Sequence, residues 1–526
     1  MHSGAICCLP PNENDSMNMS HRVLSVLCIA AMLCGSIGMQ AQSCLFEEDV
    51  YIEQRYYPSV RSLFGTSQQE LLQAQRKRSE EGTAPLPPKG LLLLVQFSDT
   101  LFFTPNPHAA FDSLANGIDY TYNGATGSAR EYFRAQSGGQ YVPDFTVVGP
   151  VTLPHPMAYY GTNDSKGYDQ YLADFVIDAC LAAADSVDWT QFDSDNDGEI
   201  DLVFLLFAGY GEADSYITNT IWPCKWDMES VLYFGYTNQT TYYYQTDEKK
   251  NLPTFNGKRV CNFACSNEWT YLNDCRSGVG TFIHEFSHVL GLPDYYVPSG
   301  SPSYTPGSWS LMGYGNYVNN GNTPPNYSAY DKYFLGWVTP TFLSANQQVT
   351  LPADGVTCYM LTRSGMAPAD GAFTKDTVYY LENRQYTGWD AYLPGHGLLV
   401  WQVVYDAQAW FNGLPNQDAV RYTLLSAGGN TPYTTDTSGK GREDVPFPGK
   451  EGVTSLALSP KAILQGIQEQ GDGTITFTFL TSSEPTRIEN TTNTGTVKYY
   501  NVLGQEVDVE TYHGIVIHDG RQYLLR

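Results

Sequence analysis

Positive charge is scarce in this chain of 526 residues: 29 lysines and arginines face 55 aspartates and glutamates, a formal net charge of −26. That balance argues against a nucleic-acid or anionic-membrane partner, since both need a basic face. Charge of either sign is thin at 16%, whereas aromatics reach 14% with 39 tyrosines, which excludes a disordered chain and indicates a folded, β-rich one. Internal repeats and low-complexity tracts are lacking. Cys261 and Cys265, in CNFAC, have no second pair of the kind a zinc ribbon needs. Apolar runs long enough to span a bilayer are lacking as well, apart from one near the N-terminus, so no transmembrane helix is expected in the mature chain.

That exception reads as a leader. His21 and Arg22 precede VLSVLCIAAMLCGSIGM, and MQAQ follows, giving a signal-peptide pattern over residues 1–41 with a cut after Ala41. Translation starting at Met17 or Met19 would remove the polar stretch ahead of it. The competing readings are a membrane anchor, which glycine, serine and cysteine dilute, and lipidation of Cys44. Cleavage leaves Cys44, Cys180, Cys224, Cys261, Cys265, Cys275 and Cys358, an odd set in which one local disulfide among Cys261, Cys265 and Cys275 is expected. Residues 42–89 are polar and end in QRKRSEEGTAPLPPKG, an exposed pro-segment or a plain linker.

At Gly90 the texture changes. GLLLLVQF predicts a buried central strand, SAREYFRAQ a helix opened by Ser128 and Glu131 in capping-box spacing, and FTVVGPVTL a further strand. YDQYLADFVIDACLAAAD predicts a long helix and DLVFLLFAGY another buried strand. This alternation indicates a mixed α/β (α+β) domain over 90–340. Short alternating strands predict a β-rich domain over 341–484, and a small β-module over 485–526 carries Asp519-Gly520 as a hairpin turn.

The chemistry sits in HEFSHVLGLPDYY. Four-residue spacing stacks His284 and His288 on one helix face, where neutral imidazoles can converge on a metal ion, and Glu285 lies beside a water on that metal. HExxH alone is weak, and an ordinary amphipathic helix is its bland reading. Gly291 stands where a sharp turn wants positive φ, Leu292-Pro293 ends the helix, and Asp294 arrives six residues after His288 as a third ligand. His396 and Asp331 compete for that position. Downstream, SWSLMGYGNY places Met312 in a tight turn, as metzincins do beneath the metal, and Tyr314 as a donor to an oxyanion. A core methionine in a glycine-rich loop is the plain alternative.

Together GVGTFIHEFSHVLGLPDYY, SWSLMGYG and YSAYDKYFLGWV resemble the immune inhibitor A family of secreted bacterial metallopeptidases, from about Gly90 to Trp337 and more weakly through YYLENRQ and LPGHGLLVWQVVYD. The resemblance implies a zincin, metzincin-like fold with a mixed twisted sheet and an active-site helix. It also implies a zinc endopeptidase with calcium sites and a removable pro-segment. By it His284, His288 and Asp294 take the ligand roles and Glu285 the catalytic one. The family commonly carries another acid just after LPD; this chain has YYVPSG there.

FDSDNDGEIDLVF sets Asp193, Asp195, Asp197 and Asp201 as oxygen donors around a turn at Gly198, with the Glu199 backbone carbonyl among them, a loop suited to a calcium ion. Phe204 at the twelfth position excludes an EF-hand. A solvated acidic turn is the alternative. The tail, TVKYYNVLGQEVDVETYHGIVIHDGRQYLLR, resembles the sorting domains recognised by type IX secretion machinery, or else completes the β-rich domain. These readings converge on a secreted or surface zinc endopeptidase acting on proteins or peptides, with Zn2+ and Ca2+ as cofactors. The rivals are a calcium-stabilised surface binding or adhesive protein without proteolytic activity, and a zinc hydrolase of small amides.

Overall fold

The computed structural model describes residues 88–481, except 247, 272, 298–304 and 430–443, together with four short strands between 499 and 525. The expected leader, Cys44, most of the expected pro-segment, the 298–300 part of YYVPSG and the Asp519-Gly520 turn lie outside the described residues.

Six strands form the first sheet: β1 (Lys89–Gln96), β2 (Asp144–Thr152), β3 (Val203–Tyr210), β4 (Cys224–Asp227), β5 (Asn262–Thr270) and β6 (Cys275–Arg276). Its order is β6-β5-β3-β1-β2, with β4 also on β5. The inner pairings β5·β3, β3·β1 and β1·β2 are parallel, while β4 and β6 run antiparallel to β5 along its outer edge. Burial on both faces explains why β1 and β3 read as unbroken apolar runs. Leu92, Leu94, Phe204 and Leu206 enter one core; Leu91, Leu93, Val203 and Leu205 enter the other. The mixed sheet with helices on both faces agrees with the expected α/β class.

Among the helices are α1 (Pro107–Asn116), α2 (Ala129–Gln136), α3 (Leu172–Ala183), α4 (Gly280–Val289) and α5 (Ala329–Phe334). The capping box read at Ser128 and Glu131 opens α2, each side chain bonding the other's backbone N–H. Helix α3 covers one face, where Phe175 packs on Phe97 and Phe207. Helix α4 covers the other. Phe282 meets Phe204 and Phe145 with ring centroids 4.7 and 4.9 Å apart, and Phe286 meets Phe145 at 5.1 Å. Burying such a ring stabilises by roughly 1.5–3 kcal/mol, so these phenylalanines anchor the helix that carries HExxH.

Beyond α5 the chain builds a second sheet from β7 (Thr341–Phe342), β9 (Tyr359–Thr362), β10 (Thr377–Arg384), β11 (Gly397–Val404) and β12 (Tyr422–Leu425), in order β7-β9-β10-β11-β12. A third sheet has the order β8-β15-β14-β13, from β8 (Gln347–Leu351), β13 (Ser455–Ser459), β14 (Ala462–Glu469) and β15 (Ile475–Leu480). Period-two alternation decides the packing. Tyr380, Leu399 and Trp401 of the second sheet join the core of α4, whereas Leu381, Leu398 and Val400 meet Val349, Leu464 and Phe477 of the third. Four strands close the chain, β16 (Tyr499–Asn501), β17 (Glu506–Val507), β18 (Gly514–His518) and β19 (Arg521–Leu525), with His518 opposite Arg521.

One buried cation ties the second sheet to the start of α5. Arg384 is 3% exposed. It pairs with Glu382 and Asp390, each at 2.9 Å, and donates to the Asn326 and Tyr327 carbonyls at 3.1 and 2.8 Å. Truncating it would strand two buried carboxylates. Arg384→Met is expected to lower unfolding stability by about 3–5 kcal/mol, measured by urea denaturation; a change below about 1 kcal/mol would mean that the carboxylates find other partners.

Candidate functional site

Helix α4 delivers the two histidines. His284 Nδ1 bonds the Leu311 carbonyl at 2.9 Å, and His288 Nδ1 bonds the Leu292 carbonyl at 2.8 Å. A carbonyl only accepts, so each Nδ1 carries hydrogen, and in the neutral ring it is Nε2 that offers the lone pair. Gly291 then turns the chain at φ 99°, a conformation costly for any residue with a Cβ, as its place in the sequence suggested. The turn brings Asp294 back under the helix. Its Oδ1 stands 3.1 Å from His284 Nε2 and 3.4 Å from His288 Nε2.

Two carboxylates border these nitrogens, and distance separates them. Glu285 Oε2 is 4.0 Å from His288 Nε2, farther than Asp294 Oδ1 from either ring. Donors about 2.0–2.1 Å from a tetrahedral zinc stand roughly 3.3 Å from one another. The Asp294 edges match that spacing, and Asp294 Oδ1 is a buried oxygen without a well-formed hydrogen bond. The donor set therefore fits zinc, with Glu285 beside it.

Electrostatics reflects this crowding. Burial alone would lower the His284 imidazolium, yet the Asp294 and Glu285 carboxylates raise it to about 9. Asp294 goes the other way: burial disfavours its charge, but both histidines hold it well below the usual carboxylate range. Burial raises Glu285 against the pull of the same histidines, the direction that makes a carboxylate a better base. In the metal-free protein a proton supplies the positive charge that the cluster needs; a metal ion would displace it.

The loop after α4 is braced from the second-sheet region. Asp294 N donates to the Gly413 carbonyl at 2.9 Å, and Asn416 Nδ2 donates to the Tyr295 carbonyl at 2.9 Å. Tyr295 stacks on Tyr422, centroids 3.6 Å apart, and bonds Asp331 at 2.8 Å. Tyr296 is buried and its hydroxyl bonds Asp294; burial first, then Asp294 and Glu285, push its phenol upward.

Met312 is fully buried in the turn after Leu311, and its carbonyl accepts from Tyr295 N at 2.8 Å. Tyr314 is half-buried, its ring parallel to Tyr296 at 6.1 Å, one ring removed from Asp294. The rival ligands lie elsewhere. Asp331 caps α5 through Ser328, and His396 pairs with Glu469 at 2.8 Å. Tyr296, Asn416 and the Leu292, Leu311 and Gly413 carbonyls escaped the sequence reading. Backbone oxygens leave no residue-type signal, and Asn416 is over a hundred residues from the motif.

In the acidic loop, oxygens of Asp193, Asp195 and Asp197 gather within 4.8 Å of one another. Asp201 instead turns to Ser194, accepting from its N and Oγ at 3.1 and 3.0 Å, and Glu199 Oε1 faces Arg259 at 3.3 Å. The Lys258 ammonium contacts Asp193 at 2.5 Å, so part of the cluster's negative charge is met within the chain.

The local disulfide expected among Cys261, Cys265 and Cys275 is not present in this structure, which joins none of the six described cysteines. β5 runs extended, so four residues separate Cys261 from Cys265 by about 13 Å, beyond the reach of a bridge. Cys275 lies opposite Thr270 on β6.

Residues 101–338 match the family described as immune inhibitor A peptidase M6, catalytic domain. Immune inhibitor A of Bacillus thuringiensis subsp. alesti is 29% identical over 234 residues, 39% of this chain and 31% of that protein. Pre-pro-metalloprotease PrtV of Vibrio cholerae serotype O1 is 26% identical over 304 residues, 49% of this chain and 31% of that protein. The aligned part thus spans under a third of either relative's length.

The brace yields a quantitative expectation. Asn416→Ala should weaken affinity for a divalent metal ion about 10–100-fold through misplacement of the Asp294 loop, read by competition with a chelating dye; affinity equal to the parent's would show that the loop holds its shape without it.

Proposed function

We propose that this chain, which carries a peptidase M6 domain, is an exported zinc endopeptidase whose ligands are His284, His288 and Asp294 and whose general base is Glu285. The observation that carries the reading is the meeting of His284 Nε2, His288 Nε2 and Asp294 Oδ1 at 3.1 and 3.4 Å, with Glu285 alongside. Bound zinc supplies Lewis acidity, making a water acidic and polarising the scissile carbonyl. The Leu311 and Leu292 carbonyls hold the imidazoles in the ligating tautomer. Glu285, with its proton affinity raised by burial, takes the water's proton and returns it to the leaving amine. In this reading Tyr314 donates to the developing oxyanion, a role supported only by its ring lying parallel to Tyr296 beside Asp294.

The relatives' names support proteolysis: PrtV is named a metalloprotease, and the matched family is a peptidase. Export rests on the leader pattern in the sequence, and no helix among the described residues is long and apolar enough to cross a membrane. A type IX route rests on the tail's resemblance alone. A calcium-stabilised adhesive protein would give Glu285 no task, which disfavours it.

Calcium at Asp193, Asp195 and Asp197 is a finer proposal, in which the ion competes with the Lys258 ammonium. Its expected signature is a higher melting temperature on adding millimolar calcium, abolished by Asp195→Asn; a melting temperature indifferent to calcium removes the ion from the account.

Chelation is expected to abolish cleavage of a generic protein substrate, with recovery on adding zinc. Glu285→Ala should keep one zinc per chain and the parent's circular dichroism while losing at least about 100-fold in kcat. Undiminished turnover in that variant would end the peptidase proposal.

A further inference from the structure

Cys224 and Cys265 stand directly opposite one another in the antiparallel pair β4·β5. Their sulfurs are 3.9 Å apart, and both residues are buried, at 4% and 0% exposure, on the face of the sheet away from α4. Directly opposed antiparallel residues have Cα atoms about 4.5–5.5 Å apart, inside the window a disulfide requires. The two side chains project from the same face, so closing the gap takes side-chain rotation without a change of register.

We propose that Cys224 and Cys265 are joined as a disulfide when the chain folds in an oxidising compartment, stapling β4 to the sheet. This inference is independent of the peptidase reading. The residues between them include the strands at Thr254–Phe255 and Lys258–Val260, and with them Lys258 and Arg259, which pair with the acidic loop. The bond would close that excursion covalently. It would also fix the strand on the outer side of β5, the side at which the sheet ends.

Two thiols must lose two protons and two electrons, and the oxidant is the disulfide of a thiol–disulfide oxidoreductase. One cysteine thiolate attacks a sulfur of that disulfide and expels the partner thiolate, giving a mixed disulfide. The second protein thiolate attacks the first cysteine's sulfur, and the fully reduced oxidoreductase leaves. Burial raises the Cys224 thiol well above its ordinary range, as does the neighbouring Cys265 sulfur. The exchange therefore belongs to the folding chain, before β4 docks, and the finished bond is shielded from reductants.

The test uses the full-length exported chain, denatured and alkylated without reductant, then digested and mapped by mass spectrometry. The expected result is a linked pair of peptides containing Cys224 and Cys265, two hydrogens lighter than their sum and separated by reductant. Alkyl groups on both cysteines, or a link from either to a different cysteine, would overturn the proposal. A second measurement reads the staple itself. Reductant added during unfolding should lower the parent's melting temperature by about 5–10 °C, and Cys224→Ala/Cys265→Ala should be insensitive to it. A parent melting temperature unmoved by reductant would refute the stapling.

Discussion

One buried carboxylate oxygen, Asp294 Oδ1, within 3.4 Å of two imidazole nitrogens is an arrangement that calls for positive charge among them. The His284 imidazolium is raised by the Asp294 and Glu285 carboxylates against the opposing effect of burial. Much of the surrounding structure enforces that crowding. The phenylalanines of α4 fix the helix against the sheet, the Gly291 turn reverses the chain, and two backbone carbonyls orient the rings.

The enforcement comes from both sides of the chain. His284 is oriented by the loop that follows α4, whereas Asp294 is held by Gly413 and, through Tyr295, by Asn416 and Tyr422. Those three residues lie beyond the 101–338 segment that matches the peptidase family. The β-rich region therefore shapes the loop that carries Asp294.

Elements with strong periodicity were legible in the sequence: β1, β2, β3, α2, α3 and α4 all appear where the apolar pattern put them. Their cores are local problems of period and capping. The Gly291 bend was legible for the same reason, because glycine before Leu-Pro leaves few backbone choices. Contacts across long sequence separations were not. Nothing in CNFAC says that Cys265 faces Cys224 and not Cys261, since strand partners are set by topology. In the acidic loop the spacing suggested Asp193, Asp195, Asp197 and Asp201 as ligands, but Ser194 competes for Asp201, and a serine gives no hint of that beforehand.

The core beneath α4 contains side chains of both the first and second sheets, among them Phe204, Tyr380 and Trp401, together with Tyr330 of α5. A lobe that could peel away alone would offer its strands to neighbouring copies at every excursion. With the interior held in common, opening either lobe forfeits the packing of both, so such an excursion becomes a rare concerted event.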